Sequence, residues 1–141
     1  MAARIEDVAV VLRSYPLGEA DRILSLLTQD HGLIRAVAKG VRKPSSRFGS
    51  RLQPLNQVQV MLYQGRNLAT VSAVDSVQLF GSRLAPDYVR WSAGHVLAEA
   101  TERLVPEEME PARPQFRLLT SGLAALSDGR RDPRLVIDAF L

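Results

Sequence analysis

At Pro86 the hydrophobic period of this chain changes, and the change sets what each part can fold into. Before it, apolar residues recur at every second position, the spacing of a half-buried strand; after it they recur every third or fourth, the spacing of one helix face. The first pattern runs through Val8-Val10-Leu12, Asp21 to Thr28, Leu33 to Lys39, Gln57 to Tyr63 and Leu68 to Gln78. It is cleanest in the fourth run, where Val58, Val60 and Leu62 alternate with Gln57, Gln59, Met61 and Tyr63. Between the runs lie Tyr15-Pro16-Leu17-Gly18, Asp30-His31-Gly32, a polar loop from Gly40 to Leu55, and Gln64-Gly65-Arg66-Asn67, all rich in turn formers. A short sheet of this kind exposes its edges unless it closes, so a five-stranded Greek-key barrel is expected. The OB-fold is the leading form, and an SH3-like barrel fits the same strand count.

Beyond Pro86, the residues Val89, Ala93, Val96, Leu97, Ala100 and Leu104 mark a helix ended by Pro106. Phe116, Leu119, Leu123 and Leu126 mark a second helix, opened by Pro114 and stopped by Asp128-Gly129. Asp132-Pro133 offers an N-cap followed by proline at the first helical position, opening a third helix through Val136, Ala139 and Phe140. That helix reaches Leu141 with an apolar face and no C-cap, as expected of an incomplete helical domain. The expected class is α+β: an OB-fold barrel over residues 1–80 and part of a helical domain over residues 81–141.

With 46% hydrophobic and 23% charged residues, the 141-residue chain has a globular composition. It contains no cysteine, which excludes disulfides and thiolate metal sites within it. The longest purely apolar run is Val8 to Leu12, too short for a membrane span, and acidic residues sit where a signal peptide would be apolar.

Charge is distributed unevenly. Residues 1–80 carry ten Lys/Arg against six Asp/Glu, whereas residues 81–141 carry eight against nine. Between Asp30 and Asp75 there is no acidic residue, yet Arg35, Lys39, Arg42, Lys43, Arg47, Arg51 and Arg66 all lie there. On the third strand Arg35, Val37 and Lys39 share one face, opposite Ile34, Ala36 and Ala38, so the cations point outward together. A polyanion is the natural partner, its phosphates neutralised and its counterions released. Phe48 and Tyr63 could each offer a stacking surface to a base, although Phe48 could equally plug the barrel's end. A solvated basic face remains the plainer alternative.

Catalytic patterns are weak. His31 and His95 fall in a turn and a helix without a ligand set, and His95 with Glu99 reads as a surface pair one helical turn apart. Glu107, Glu108 and Glu110 sit between Pro106 and Pro111, as in a solvated linker. Gly40-Val41-Arg42-Lys43-Pro44-Ser45 breaks the spacing of a phosphate-binding loop, and Ser45 and Ser46 have no base nearby in sequence. No catalytic or metal residue is therefore assigned. A nuclease using Asp75 with the helical acids, and a module docking an acidic protein on the basic loop, remain as other readings.

The stretch LGEADRILSLLTQDHGLIRAVAKGVRKPSSRFG, Leu17 to Gly49, closely resembles the N-terminal domain of the RecO family of bacterial recombination mediators. The likeness extends through Leu52-Gln53-Pro54-Leu55, Gln64-Gly65-Arg66-Asn67-Leu68 and Leu135-Val136-Ile137-Asp138-Ala139-Phe140. The resemblance implies an OB-fold that binds single- and double-stranded DNA without catalysing a covalent reaction. It also implies a protein that anneals strands and works with RecR and the single-stranded DNA-binding protein to place RecA on coated DNA. A cytoplasmic, nucleoid-associated location goes with that role. By position, Arg35, Lys39, Arg42, Lys43, Arg47 and Arg51 match the family's basic surface; Phe48, Tyr63 and Arg66 complete the candidate DNA-binding set. No cofactor is expected in this chain, although some relatives carry a four-cysteine zinc site beyond the region covered here.

Overall fold

The computed structural model describes residues 3–105 and 108–141. Strands β1 (Ala3–Leu17), β2 (Asp21–Thr28), β3 (Leu33–Ala38), β4 (Gln57–Gln64) and β5 (Ala69–Gln78) precede helices α1 (Phe80–Leu84), α2 (Tyr88–Leu104), α3 (Arg113–Asp128) and α4 (Pro133–Phe140). Pro106 and Glu107, expected at the end of the first long helix and in the linker after it, lie outside the described residues.

β1 is longer than its apolar alternation predicts. Its first part, from Ala3 to Val10, pairs antiparallel with β4, and its second part, from Ala9 to Leu17, pairs antiparallel with β2. A bulge between Val11 and Arg13 lets one strand serve both partners, because the extra residue bends the strand and sharpens its twist. Tyr15, Pro16 and Leu17, expected in a turn, therefore belong to the strand, and the chain reverses at Gly18, whose φ of 62° suits glycine. A short parallel pairing, Ala36 with Ala69 and Val37 with Thr70, closes the ring in the order β1-β2-β3-β5-β4. Placing β5 between β3 and β4 decides for the OB arrangement, a choice that periodicity alone leaves open.

The run Val8 to Leu12 is continuous because both faces of β1 are covered. Ala9 and Val11 point into the barrel with Leu24, Ile34 and Val60, whereas Val10 and Leu12 face the helices and pack with Leu97, Leu119 and Leu123. Leu27 and Leu55 join that second core, so barrel and helices share side chains. α1 shows no sequence period because five residues barely exceed one turn; Phe80 and Leu84, four apart, bury its inner side. The N-cap expected of Asp132 is present, its carboxylate accepting from Arg134 N at 2.8 Å, and Gly129 ends α3 in the left-handed conformation.

The β2–β3 turn is held from two sides. The Asp7 carboxylate, almost fully buried, accepts from Val8 N at 2.7 Å and Asp30 N at 2.9 Å, and meets His31 Nδ1 at 2.7 Å. On the other side Met109 N donates to Leu33 O at 2.9 Å and Arg113 pairs with Asp30 at 2.9 Å. Gly32 is required there, since its φ is 71° and a Cβ would lie 2.0 Å from Glu110 O.

Because Leu12 is 1% exposed between barrel and helices, Leu12→Ala should cost about 2–5 kcal/mol. In urea, strand and helix signals should be lost together at a lower midpoint. Helices melting apart from the barrel would contradict the shared core.

Candidate nucleic-acid interface

The connector between β3 and β4 carries most of the candidate cations, and its shape follows from local hydrogen bonding. Lys43 N donates to Gly40 O, Ser46 N to Lys43 O, Gly49 N to Ser46 O and Arg51 N to Phe48 O, so the backbone winds through successive tight turns. Phe48 and Leu52 point into the barrel core and Leu55 into the helical core, leaving Arg42, Lys43, Arg47 and Arg51 outside. The start of the connector is tied to the β1–β2 turn, with Gly40 N on Asp21 Oδ1 at 2.7 Å and Arg42 Nη1 on Gly18 O at 2.8 Å. Its end is tied by the fully buried Asn56, whose Nδ2 reaches Ser50 O and Arg51 O at 3.2 Å each and whose Oδ1 accepts from Ser82 N at 3.3 Å. The loop is thus a shaped platform for cations.

Arg35 stands exposed on β3 and Lys39 exposed just past the strand's end at Ala38, one residue short of the expected run, while Ile34, Ala36 and Ala38 are buried. Lys39 continues into the connector. Ala69 lies opposite Ala36, so the β4–β5 turn bearing the exposed Arg66 leaves the sheet beside Arg35. The strands and the connector therefore unite seven cations over adjoining elements. Among the described residues, none of them meets a carboxylate within ion-pair distance. Elsewhere Arg4, Arg13, Arg90, Arg103 and Arg113 each do.

Phe48 corrects the sequence reading. Its ring is 3% exposed, so it cannot stack on a base; it plugs the barrel and supports Arg47, whose guanidinium lies 4.9 Å from the ring centre. Tyr63 is 41% exposed on β4. A second exposed ring was missed: Tyr15, with the Arg13 guanidinium 5.2 Å from its centre. Cross-strand pairing sets Tyr15, Ile23, Val37, Thr70 and Tyr63 in one outward row. The row places Tyr15 and Tyr63 at opposite ends of a low surface where bases could stack, beside Arg35 of β3. The signal in the sequence was the alternation Arg13, Tyr15, Leu17 continuing past the bulge.

The histidines do other work. His31 pairs with Asp7, and His95 packs its ring 4.1 Å from that of Trp91 in a cleft with Arg13, Glu99, Glu102 and Arg103. Glu102 there pairs with Arg13 at 2.6 Å and Glu99 with Arg103 at 2.8 Å. Among the described residues no three His, Asp or Glu side chains gather as a metal site would require. No described helix is long and apolar enough to cross a membrane.

Residues 1–80 match the family model described as recombination protein O, N terminal. The chain belongs to the recombination protein O family. Among curated proteins it is 50% identical to the DNA repair protein RecO of Thermobifida fusca over 135 residues, which cover 96% of this chain and 56% of that relative. The DNA repair protein RecO of Frankia casuarinae is 52% identical over 135 residues, with the same two coverages, and that of a Nocardioides species 50% identical, covering 55% of the relative. The chain thus spans little more than half the length of these RecO relatives.

Burial pushes the His95 imidazole below its ordinary value. The unfolded chain therefore takes up this proton at higher pH than the folded one. The stability tied to His95 is complete above about pH 6.5 and declines as pH falls below it. Urea midpoints followed from about pH 7.5 to about pH 5 should drop less for His95→Gln than for the wild type; equal slopes would show that this proton is not linked to folding.

Proposed function

We propose that this chain is the DNA-gripping part of a recombination mediator acting in DNA repair. One observation carries the reading: Arg35, Lys39, Arg42, Lys43, Arg47, Arg51 and Arg66 stand exposed on adjoining elements, with no carboxylate paired to them among the described residues. A surface kept free of counter-charge is suited to phosphates, which bring their own negative charge and give up condensed counterions on binding. Membership of the recombination protein O family, and the name DNA repair protein RecO borne by its relatives, support the same role.

The working mechanism has two parts. The cations of β3 and its connector hold backbone phosphates, while Tyr63 and Tyr15 offer faces that accept any base. Two strands neutralised on one protein repel each other less and meet at higher local concentration, so complementary strands anneal without ATP. No covalent step belongs to this reading. Within the whole protein, the grip would serve exchange with the single-stranded DNA-binding protein and, together with RecR, the placing of RecA on the exposed strand.

Titration of a fluorescent single strand over a range of salt should give a log–log slope of roughly −4 if six cations make phosphate contacts. Reversing Arg42, Lys43 and Arg47 to Glu should abolish binding with only a small fall in the urea midpoint, from the lost Arg42–Gly18 hydrogen bond. Affinity indifferent to salt would refute the grip. Retained DNA binding by the triple variant, with loss of an acidic protein partner, would make the patch a protein dock instead.

A further inference from the structure

A cleft of about 260 Å³ opens beneath the connector, walled by Gly49, Ser50, Leu52 and Gln53 on one side and by Ser14 and Arg22 on the other. Arg22 had no part in the basic surface read from the sequence, because it lies outside the acid-free window; on β2 it belongs to the inward-facing set with Leu24 and Leu26. Near the barrel's rim that orientation brings it under the connector, where it is half-buried. Its guanidinium is anchored on β1: Nε donates to Ser14 Oγ and Nη2 donates to Ser14 O at 3.1 Å. A guanidinium has five N–H donors, so three remain for other partners. Among the described residues no carboxylate pairs with it. Asp21, next in sequence, is engaged by Gly40 N, and Glu19 lies exposed in the β1–β2 turn.

A half-buried cation without a counter-charge is an unfavourable arrangement unless something supplies the charge. The cleft gives that something a place. At roughly 30 Å³ of liquid volume per water molecule, it has room for a phosphate group together with several waters. Its wall is formed by Gly49, Ser50, Leu52 and Gln53, with Arg51 among them in sequence and Arg47 two residues before them, so it continues the cationic platform inward from the surface. At Gly49 a side chain would meet only open space, which leaves the mouth unobstructed.

We propose that Arg22 and the cleft above it form a phosphate subsite, occupied by a backbone phosphodiester of a strand lying across the connector. The anchoring on Ser14 fixes the guanidinium's plane, so the remaining donors form a fork that matches two phosphate oxygens. Arg22 thus contributes a partly desolvated contact anchored on Ser14, whereas Arg42, Lys43, Arg47 and Arg51 contribute exposed, solvated ones. The subsite rests on the DNA-gripping reading given above.

The test is a titration of fluorescent oligothymidylate over a range of salt, comparing the wild type with Arg22→Gln and Ser50→Glu. Gln retains a donor for Ser14 and removes the charge. Arg22→Gln should weaken binding and flatten the log–log salt slope by about 0.7, the share of one phosphate contact on a single strand. A merely structural arginine would lower the urea midpoint and leave that slope unchanged, which would overturn the subsite even if affinity fell. Ser50→Glu sets a carboxylate at the cleft mouth without touching Arg22's bonds, and should weaken binding more than Ser121→Glu on α3 does. Equal effects of the two would also overturn the subsite. A wild type whose binding ignores salt would remove the DNA-gripping reading itself, whereas salt-dependent wild-type binding with an unchanged Arg22→Gln slope removes the subsite alone.

Discussion

The double pairing of β1 is the constraint on which the rest of the molecule depends. One strand hydrogen-bonds β4 with its first part and β2 with its second, bent between them by the bulge beside Leu12. Without that bend the ring could not close, because β4 and β2 would need to lie on one flat sheet. The bend also turns Val10 and Leu12 outward onto α2 and α3, while Ala9 and Val11 fill the barrel. A single strand thereby couples two cores, and the helices cover what would otherwise be an apolar outer face.

The cationic platform inherits its rigidity from this arrangement. Leu55 N donates to Val11 O at 2.7 Å and Val11 N to Asn56 O at 3.0 Å, so the connector ends its path on the bent part of β1. Between its two anchored ends, Phe48 and Leu52 sink into the barrel as pegs, and the arginines next to them point away. Phe48 exchanges the stacking role first read for it for that of a post under Arg47. Ordering long side chains costs conformational entropy at binding, and a backbone already wound into turns reduces the share left to be lost then.

Much of this was legible in the sequence, and the parts that were not have physical reasons. Period two located all five strands and period three to four located α2, α3 and α4, because each buries one continuous stripe. The ends of β1 were hidden: Ala3–Asp7 and Tyr15–Leu17 carry little apolar alternation and are strand by virtue of long-range partners. Strand order was hidden for the same reason, since the parallel contact of β3 with β5 spans a long loop and leaves no local trace. The cations could be placed because exposure of Arg35 and Lys39 follows from the buried Ile34, Ala36 and Ala38 between and beside them. Burial of Phe48 is not decided by the sequence: an aromatic in a polar loop can plug a core or meet a ligand, and only the tertiary position of the turn distinguishes the two. Tyr15 was missed because proline and glycine nearby suggested a turn at a place where strand pairing prevails.

An acid-free window has an electrostatic consequence for the free protein as well as for a complex. Two unit charges about 8 Å apart in water repel by roughly 0.5 kcal/mol, so a cluster of exposed cations works against the compact state by a modest amount. The connector withstands this because its cations project into solvent while its backbone and pegs are held from within. Salt would then act in opposite directions on the free and the proposed bound state, screening repulsion within the platform and weakening a hold on phosphates. Two of the neutralised arginines join elements: Arg13 links the barrel to α2 through Glu102, and Arg113 links α3 to the β2–β3 turn through Asp30. Two of the carboxylate–arginine pairs thus sit at joints between elements, whereas Asp21, the carboxylate at the start of the connector, is engaged by a backbone N–H of Gly40 and leaves the platform's cations unpaired among the described residues.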